Sequence, residues 1–284
     1  MIVVTGASGY VGSRAVRRLA GLGLPVAAMG RNGARLRNAV PEGVPVLIAD
    51  YDDRASLDRA FAQVTKLLFV ASDGFAEDMI RQHANVIDAA SRSAIAHVVF
   101  TGIVDIGEGS PFYFAPVYRD AERRLNSARF AVSIIRCGLY CDFILRHWLR
   151  DSVVSLPLSD ARIAPISRAD VAAAAVEAVL REPGGVWELT GAAPLSMADI
   201  AAAASRVRGG PCAYRSCSPD DYRGRLEAGI EDPWPQAFSS LCASIREGRY
   251  AATSTEFAGI MSRPQEDFES FLRRCAPAGG PRWD

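Results

Sequence analysis

Residues 5–12 read TGASGYVG, directly behind the apolar opening MIVV of residues 1–4. Gly6, Gly9 and Gly12 stand three apart. They lie between a run that reads as a buried strand and VGSRAVRRLAGLG (11–23), which reads as an amphipathic helix with Val11, Ala15, Leu19 and Leu22 inward. Strand, glycine loop, helix is the order that a dinucleotide-binding turn requires. Gly6 permits the tight turn. Gly9 lets the backbone approach a pyrophosphate at the positive end of the helix, and Gly12 lets helix and strand close on each other. A plain strand-to-helix turn uses the same residues, so the surrounding chain has to decide.

That surrounding chain alternates. Apolar runs at 25–31, 44–50, 66–72, 97–102 and 131–138 read as strands, and 54–64, 76–94 and 117–128 as helices between them. The strands lack the in-out alternation of a half-exposed sheet, which argues for parallel strands covered on both faces. Right-handed crossovers then wind helices onto both sides. The expected fold is α/β: a doubly wound parallel-sheet Rossmann fold with a smaller, mostly helical C-terminal lobe. The nucleotide-binding domain is expected over 1–140, with 160–190 returning to it, and a substrate-binding lobe over 141–159 and 191–284. In the latter part, helices over 169–183 and 196–209 flank a strand at 186–191, and SPDD, DPWP and SRPQ break up the remainder. The end, APAGGPRWD (276–284), reads as a frayed tail.

Composition excludes several classes. The 284 residues are 49% hydrophobic and 23% charged, an ordinary globular balance. Lys+Arg and Asp+Glu are both 32, so no basic stripe argues for nucleic acid and no polybasic run for a membrane surface. The apolar runs are too short to span a bilayer, and no basic leader precedes the first strand, so a cytoplasmic location is expected. Cys137, Cys141, Cys212, Cys217, Cys242 and Cys275 are scattered without a histidine-completed cluster. They are expected to be free, mostly buried thiols with no metal.

The second strand points to the nucleotide. An NAD enzyme places Asp or Glu at its end to hold the ribose 2′-hydroxyl. Here AAMGRNGARLR (27–37) has Arg31 in that place, Asn32 beside it and Arg35 behind. A guanidinium pairs bidentately with a 2′-phosphate that a carboxylate repels, so NADP(H) is the expected cofactor. Asp50, in ADYDD (49–53), is placed either to meet the adenine amino group or to cap the next helix.

Several further motifs occur in one order: KLLFVAS (66–72), IRQHANVIDAA (80–90), HVVFTG (97–102), RDAERRLNSARFAVSIIRCGLYCDFI (119–144) and ISRADVAAAA (166–175). With TGASGYVG, GRN and ADYDD they resemble the NmrA-like group of atypical short-chain dehydrogenases/reductases, and within it the NADPH-dependent quinone oxidoreductases and triphenylmethane reductases. The resemblance covers residues 1 to about 200 and continues weakly to the end. It implies cofactor contacts at Gly6, Ser8, Gly9, Tyr10, Val11, Arg31, Asn32, Asp50, Ala71, Ser72, Thr101 and Gly102. It also implies that Cys137, Gly138, Leu139 and Tyr140 line the nicotinamide end, and that a substrate cleft lies between the Rossmann domain and the lobe. A monomer or homodimer is expected on the same ground.

The wider superfamily uses Tyr-x-x-x-Lys, in which the lysine lowers the tyrosine pKa. Here Glu122 stands four residues after Tyr118, Val117 stands four after Tyr113, and Lys66 is the only lysine. A quinone or cationic dye still accepts hydride readily, because the product is aromatic or charge-neutralised, so positioning alone suffices. Tyr118 is the candidate catalytic residue, as a hydrogen-bond donor to a substrate oxygen, or else it packs on the cofactor edge. Tyr113, Tyr118, Phe143 and His147 are candidate substrate contacts, with Phe112 and Trp148 as further members of an apolar lid; core packing is the alternative for each. Glu122 reads as structural, His83 as a packing or helix-bonding residue, His97 as a surface residue, and Asp170 as a helix cap.

Three functions stay open. The first is an NADPH-dependent reductase of quinone-like or conjugated aromatic acceptors. The second is a specialised tailoring reductase or isomerase of a biosynthetic intermediate. The third is a non-catalytic NADP(H)-sensing regulatory protein. The loop DIGEGSPFYFAP (105–116) differs from that expected of a general quinone reductase and favours a specialised substrate.

Overall fold

The structure is a computed structural model that describes residues 1–181 and 184–276; the rest of the expected tail lies outside the described residues. The strands β1 (Ile2–Val4), β2 (Val26–Gly30), β3 (Val46–Ile48), β4 (Lys66–Val70), β5 (His97–Ile103) and β6 (Ala131–Cys137) form one sheet with an outer strand, Val186–Leu189. The order is β3-β2-β1-β4-β5-β6 and then the outer strand. β1 runs parallel to β2 and β4, with Val3 opposite Ala27 and Leu67, and β2–β3 and β4–β5 are parallel as well. The connecting helices are α1 (Tyr10–Gly21), α2 (Gly33–Ala39), α3 (Arg54–Phe61), α4 (Ala76–Arg92) and α5 (Ala115–Asn126). This is the expected doubly wound Rossmann sheet. Its order reverses at β1 and β4, the place outside whose carboxyl ends such sheets bind ligands.

The chain divides into two compact units, residues 1–103, 116–136 and 169–187, and residues 104–115, 137–168 and 188 onward. In the first unit six successive residues of β5 are buried, which explains why its sequence does not alternate. Phe61, Leu67, Phe69 and Phe100 are fully buried there. α1 buries Val11, Ala15, Val16 and Leu19. Leu22, expected inward, is 54% exposed: the helix ends at Gly21, and Leu22 has left its register. His97, expected at the surface, is buried and its Nε2 lies 2.9 Å from Ser133 Oγ. The reason is topological, since β5 is flanked on both sides by strands.

The second unit has its own core, which includes Trp148, Leu156, Ile163, Met197, Leu241 and Phe271. Of the two readings of Trp148, lid or core packing, the structure therefore shows the core, at 5% exposure. Two small strand pairs brace the unit: Val153–Leu156 runs parallel to Ala213–Ser216, and Arg162–Ile163 antiparallel to Leu195–Ser196. The helix Met197–Arg208 opens on a capping box of Ser196 and Asp199. Cys141–Phe143 widens into a π-helical turn over Ile144–Trp148. All six cysteines are free, and burial pushes the Cys137 thiol up to about 12, where it holds almost no thiolate. Among the described residues no helix is long and apolar enough to cross a membrane, and no three His, Cys, Asp or Glu side chains gather as a metal site.

Candidate active site

Gly6 sits in the left-handed region at φ +57°, and the Gly9 amide donates to its carbonyl at 2.9 Å. Gly9 is the N-cap of α1 and brings no side chain to its first amides. Those amides and the helix dipole make a seat for an anion. A Cβ on Gly12 would lie 2.5 Å from the Gly6 oxygen and 2.9 Å from the Ala7 Cα, so only glycine lets α1 close on the loop. Ser8 and Gly9 are exposed, Val11 is buried, and the Arg14 guanidinium lies 4.7 Å from the centre of the Tyr10 ring.

At the end of β2 Arg31 is exposed and forms no ion pair among the described residues. The Asn32 side chain is already engaged: it caps α2 by accepting from the Arg35 amide at 3.0 Å. Of the two roles open to Asp50, the helix cap is taken by Asp53, which accepts from the Ser56 amide at 3.1 Å. Asp50 Oδ1 instead accepts from the Asp52 amide at 3.0 Å and shapes the turn after β3.

The segment after β4 is held by side chains from three elements. The Thr5 hydroxyl accepts from the Val70 amide at 3.0 Å, the Thr101 hydroxyl from the Ala71 amide at 3.3 Å, and His83 Nε2 from the Ser72 amide at 3.2 Å. An imidazole that accepts at Nε2 is neutral, and burial pushes His83 down to about 4 against a weaker upward pull from Asp120. Its ring packs against Phe69 at 5.4 Å, Phe100 at 5.8 Å and Tyr118 at 6.2 Å. Sequence reasoning gave His83 packing but not its grip on Ser72. The signal was a polar residue on the apolar face of α4 that also carries Met79, Val86 and Ala90.

Tyr118, on α5, is half-buried against His83 and Phe100. Glu122 is 5% exposed and pairs with Arg136 through both oxygens, at 3.0 and 2.8 Å, so its carboxylate is committed to β6. Lys66 donates to the Val179 carbonyl at 2.7 Å from the amino end of β4. Gly102 is buried on β5, 3.5 Å from Glu122 Oε1 to the position of an added Cβ. The first-unit residues from Gly6 to Gly102 thus share the carboxyl edge of five neighbouring strands.

Two buried neutral imidazoles make stability depend on pH. Burial, then the Lys66 charge, pushes His97 down to about 4 as well. Both histidines take up a proton below about pH 6.5 only when the chain unfolds. Stability is therefore complete above about pH 6.5 and is lost as pH falls towards 4, by up to about 3 kcal/mol per histidine. Thermal melts across that window are expected to show Tm falling steadily; a flat Tm would exclude the buried neutral state.

In the second unit the loop Cys137–Tyr140 is fixed by backbone. The Gly138 amide donates to Leu189 O at 2.8 Å, Cys141 to Ile166 O at 2.9 Å, and Ile166 to Leu139 O at 3.0 Å. Asp142 accepts from the Arg168 amide at 3.0 Å and lies 3.4 Å from its guanidinium, which in turn sits 5.9 Å from the Tyr140 ring centre. The rings of Phe143 and His147 meet at 4.7 Å, tilted by 33°. The Tyr113 amide is tied to Ser240 Oγ at 2.9 Å. Asp105 is buried and accepts from the hydroxyls of Ser110, at 2.7 Å, and Ser244, with Arg249 at 3.7 Å, which staples the loop 105–115.

The chain matches the NmrA-like family over residues 1–243. Quinone oxidoreductase 2 of Escherichia coli (strain K12) is 29% identical over 272 residues, 93% of this chain and 94% of that protein. The NADPH-dependent quinone oxidoreductase of Escherichia coli, solved in complex with NADPH, superposes with a TM-score of 0.88 at 25% identity over 96% of this chain and 99% of that one. The triphenylmethane reductase of Citrobacter sp. superposes with a TM-score of 0.86 at 26% identity over 96% and 98%.

Proposed function

The chain belongs to the NmrA-like family, and from that premise we propose that it is an NADPH-dependent oxidoreductase that reduces a quinone-like or conjugated aromatic acceptor. The observation that carries the cofactor is Arg31: an exposed guanidinium without an ion-pair partner among the described residues, at the end of β2, beside a glycine-capped helix. The amides at the start of α1 hold the pyrophosphate, Arg31 the 2′-phosphate, and the His83-held Ser72 segment the ribose side. The loop Cys137–Tyr140 takes the nicotinamide end. When bound, the dihydronicotinamide supplies the hydride.

Tyr118 donates a hydrogen bond to the acceptor oxygen. No lysine stands beside it to lower its pKa, because Lys66 is spent on the Val179 carbonyl. The acceptor is therefore one whose reduced form needs no strong protein acid, as a quinone's does not. The sequence of the loop 105–116, DIGEGSPFYFAP, supports a specialised acceptor over a general one.

The test follows NADPH consumption against a panel of quinones. Arg31→Ala is expected to raise KM for NADPH by about 10- to 100-fold, the loss of one charge-assisted phosphate contact, while KM for NADH barely moves. Equal effects on both nucleotides would remove Arg31 from the 2′-phosphate. Tight NADPH binding with no acceptor reduced would remove the general quinone reductase and leave the NADP(H)-sensing protein and the tailoring enzyme with one particular substrate.

A further inference from the structure

The second unit carries a run of touching rings. Tyr113 meets Phe114 at 4.9 Å, Phe114 meets Trp234 at 6.1 Å, and Trp234 meets Phe238 at 5.8 Å. Phe238 then meets Phe143 at 5.2 Å and His147 at 5.3 Å. Core aromatics of the same unit are closed off, Phe271 at 1% and Phe268 at 4% exposure. The five carbocyclic and indole rings of the run stay half-buried, and His147 is exposed. A contiguous, partly open aromatic strip is what a flat ligand seeks. Its frame is rigid at one end, where the Asp105 staple and the Tyr113–Ser240 bond hold the loop. At the other end lies the π-helical turn Ile144–Trp148, a geometry that is costly in an ordinary helix and recurs at functional sites.

That same turn brings charge. Arg146 and Arg150 are exposed, and Arg150 Nε donates to the Arg146 carbonyl at 2.7 Å. Neither has a carboxylate partner among the described residues; Asp142 is engaged with Arg168, and Asp151 pairs with neither. His147, next to Arg146 in that turn and three residues before Arg150, has its ring 4.7 Å from Phe143 and 5.3 Å from Phe238, which sets both cations at the end of the strip. Two uncompensated cations at the end of an aromatic strip attract an anion and repel a cationic dye.

We infer that this strip is the specificity surface for a planar, multi-ring acceptor that bears an anionic group, with the rings on Trp234, Phe238 and Phe143 and the anion at Arg146 and Arg150. The inference rests on the proposed reductase function for the ligand's being an acceptor. It is tested by titrating the full-length, NADP⁺-bound protein with 1,4-naphthoquinone-2-sulfonate and with its neutral 2-methyl counterpart, at low salt. The sulfonate is expected to bind about tenfold more tightly, with the margin shrinking as salt rises. In the double variant Arg146→Gln/Arg150→Gln the ratio falls to about one, and in Arg146→Lys/Arg150→Lys it persists. Phe238→Leu is expected to weaken both naphthoquinones by roughly tenfold more than it weakens benzoquinone. Equal binding of the two naphthoquinones, or a preference that survives the double glutamine variant, overturns the inference. Binding needs no turnover, so the two readings separate. A sulfonate preference without NADPH consumption sinks the reductase and leaves the surface standing, while turnover without the preference does the reverse.

Discussion

Gly12→Ala is expected to lower both Tm and activity, although glycine to alanine inside a helix ordinarily stabilises by roughly 1 kcal/mol. The sign reverses because the new methyl lies 2.5 Å from the Gly6 oxygen and 2.9 Å from backbone carbons of Gly6 and Ala7. No flexible side chain is there to yield, so α1 or the loop must move by roughly 1 Å to restore ordinary contact. Overpacking of this kind costs about 1–3 kcal/mol, which cancels the gain in propensity and exceeds it. Function suffers more. The shift opens the Gly6–Gly9 turn and turns the first amides of α1 away from the pyrophosphate we propose they hold, and a displacement of that size is expected to cost about 100-fold in kcat/KM for NADPH. Gly21→Ala, at the other end of the same helix, is the control, since nothing lies within 4 Å of its Cβ. That variant is expected to match or slightly exceed the parent in Tm and to keep its activity. A Gly12→Ala protein with unchanged Tm and kcat/KM would show that the close approach is not needed.

The second large effect is on stability. Glu122→Ala removes the carboxylate that Arg136 grips through two hydrogen bonds, at 3.0 and 2.8 Å. The Glu122 side chain is 6% exposed and that of Arg136 24%, so water replaces the lost contact only in part. Breaking a buried pair from one side costs about 3–5 kcal/mol, and the partial access at Arg136 puts this case near the lower figure. Tm is expected to fall by on the order of 10 °C. The double variant Glu122→Leu/Arg136→Met is expected to recover most of that loss, because it leaves no ion to desolvate. Recovery would place the role of Glu122 in the fold. A single variant as stable as the parent, but with Tyr118-dependent turnover abolished, would place it in the chemistry instead.

Much of the first unit was legible because its signals are local. Parallel strands covered on both faces announce themselves as unbroken apolar runs, and β1, β2, β4, β5 and β6 all fall within them. The glycine loop is readable because left-handed φ at Gly6 and closeness at Gly12 are demands that only glycine meets. Arg31 is readable because it follows β2 directly. Asn32 and Asp50 lie at the carboxyl edge, where their side chains serve the turns, and the cap that is one of the two readings of Asp50 belongs to Asp53. His97 was misread because its burial depends on strands paired from elsewhere in the chain.

The second unit resisted for the same reason. Arg162–Ile163 pairs with Leu195–Ser196, segments too short to show a period and separated by some thirty residues of chain. Asp105 finds its partners at Ser244 and Arg249, and Tyr113 at Ser240. The amino-acid sequence by itself thus determined the sheet, its winding, the nucleotide turn and the guanidinium at the end of β2, since each follows from periodicity or from conformations open to one residue type. Only the tertiary structure decided that His83 holds Ser72, that Glu122 belongs to Arg136, and that six rings from three segments form one strip beside two arginines. Each of these is a contact between residues distant in the chain, set by packing, and no local pattern encodes it.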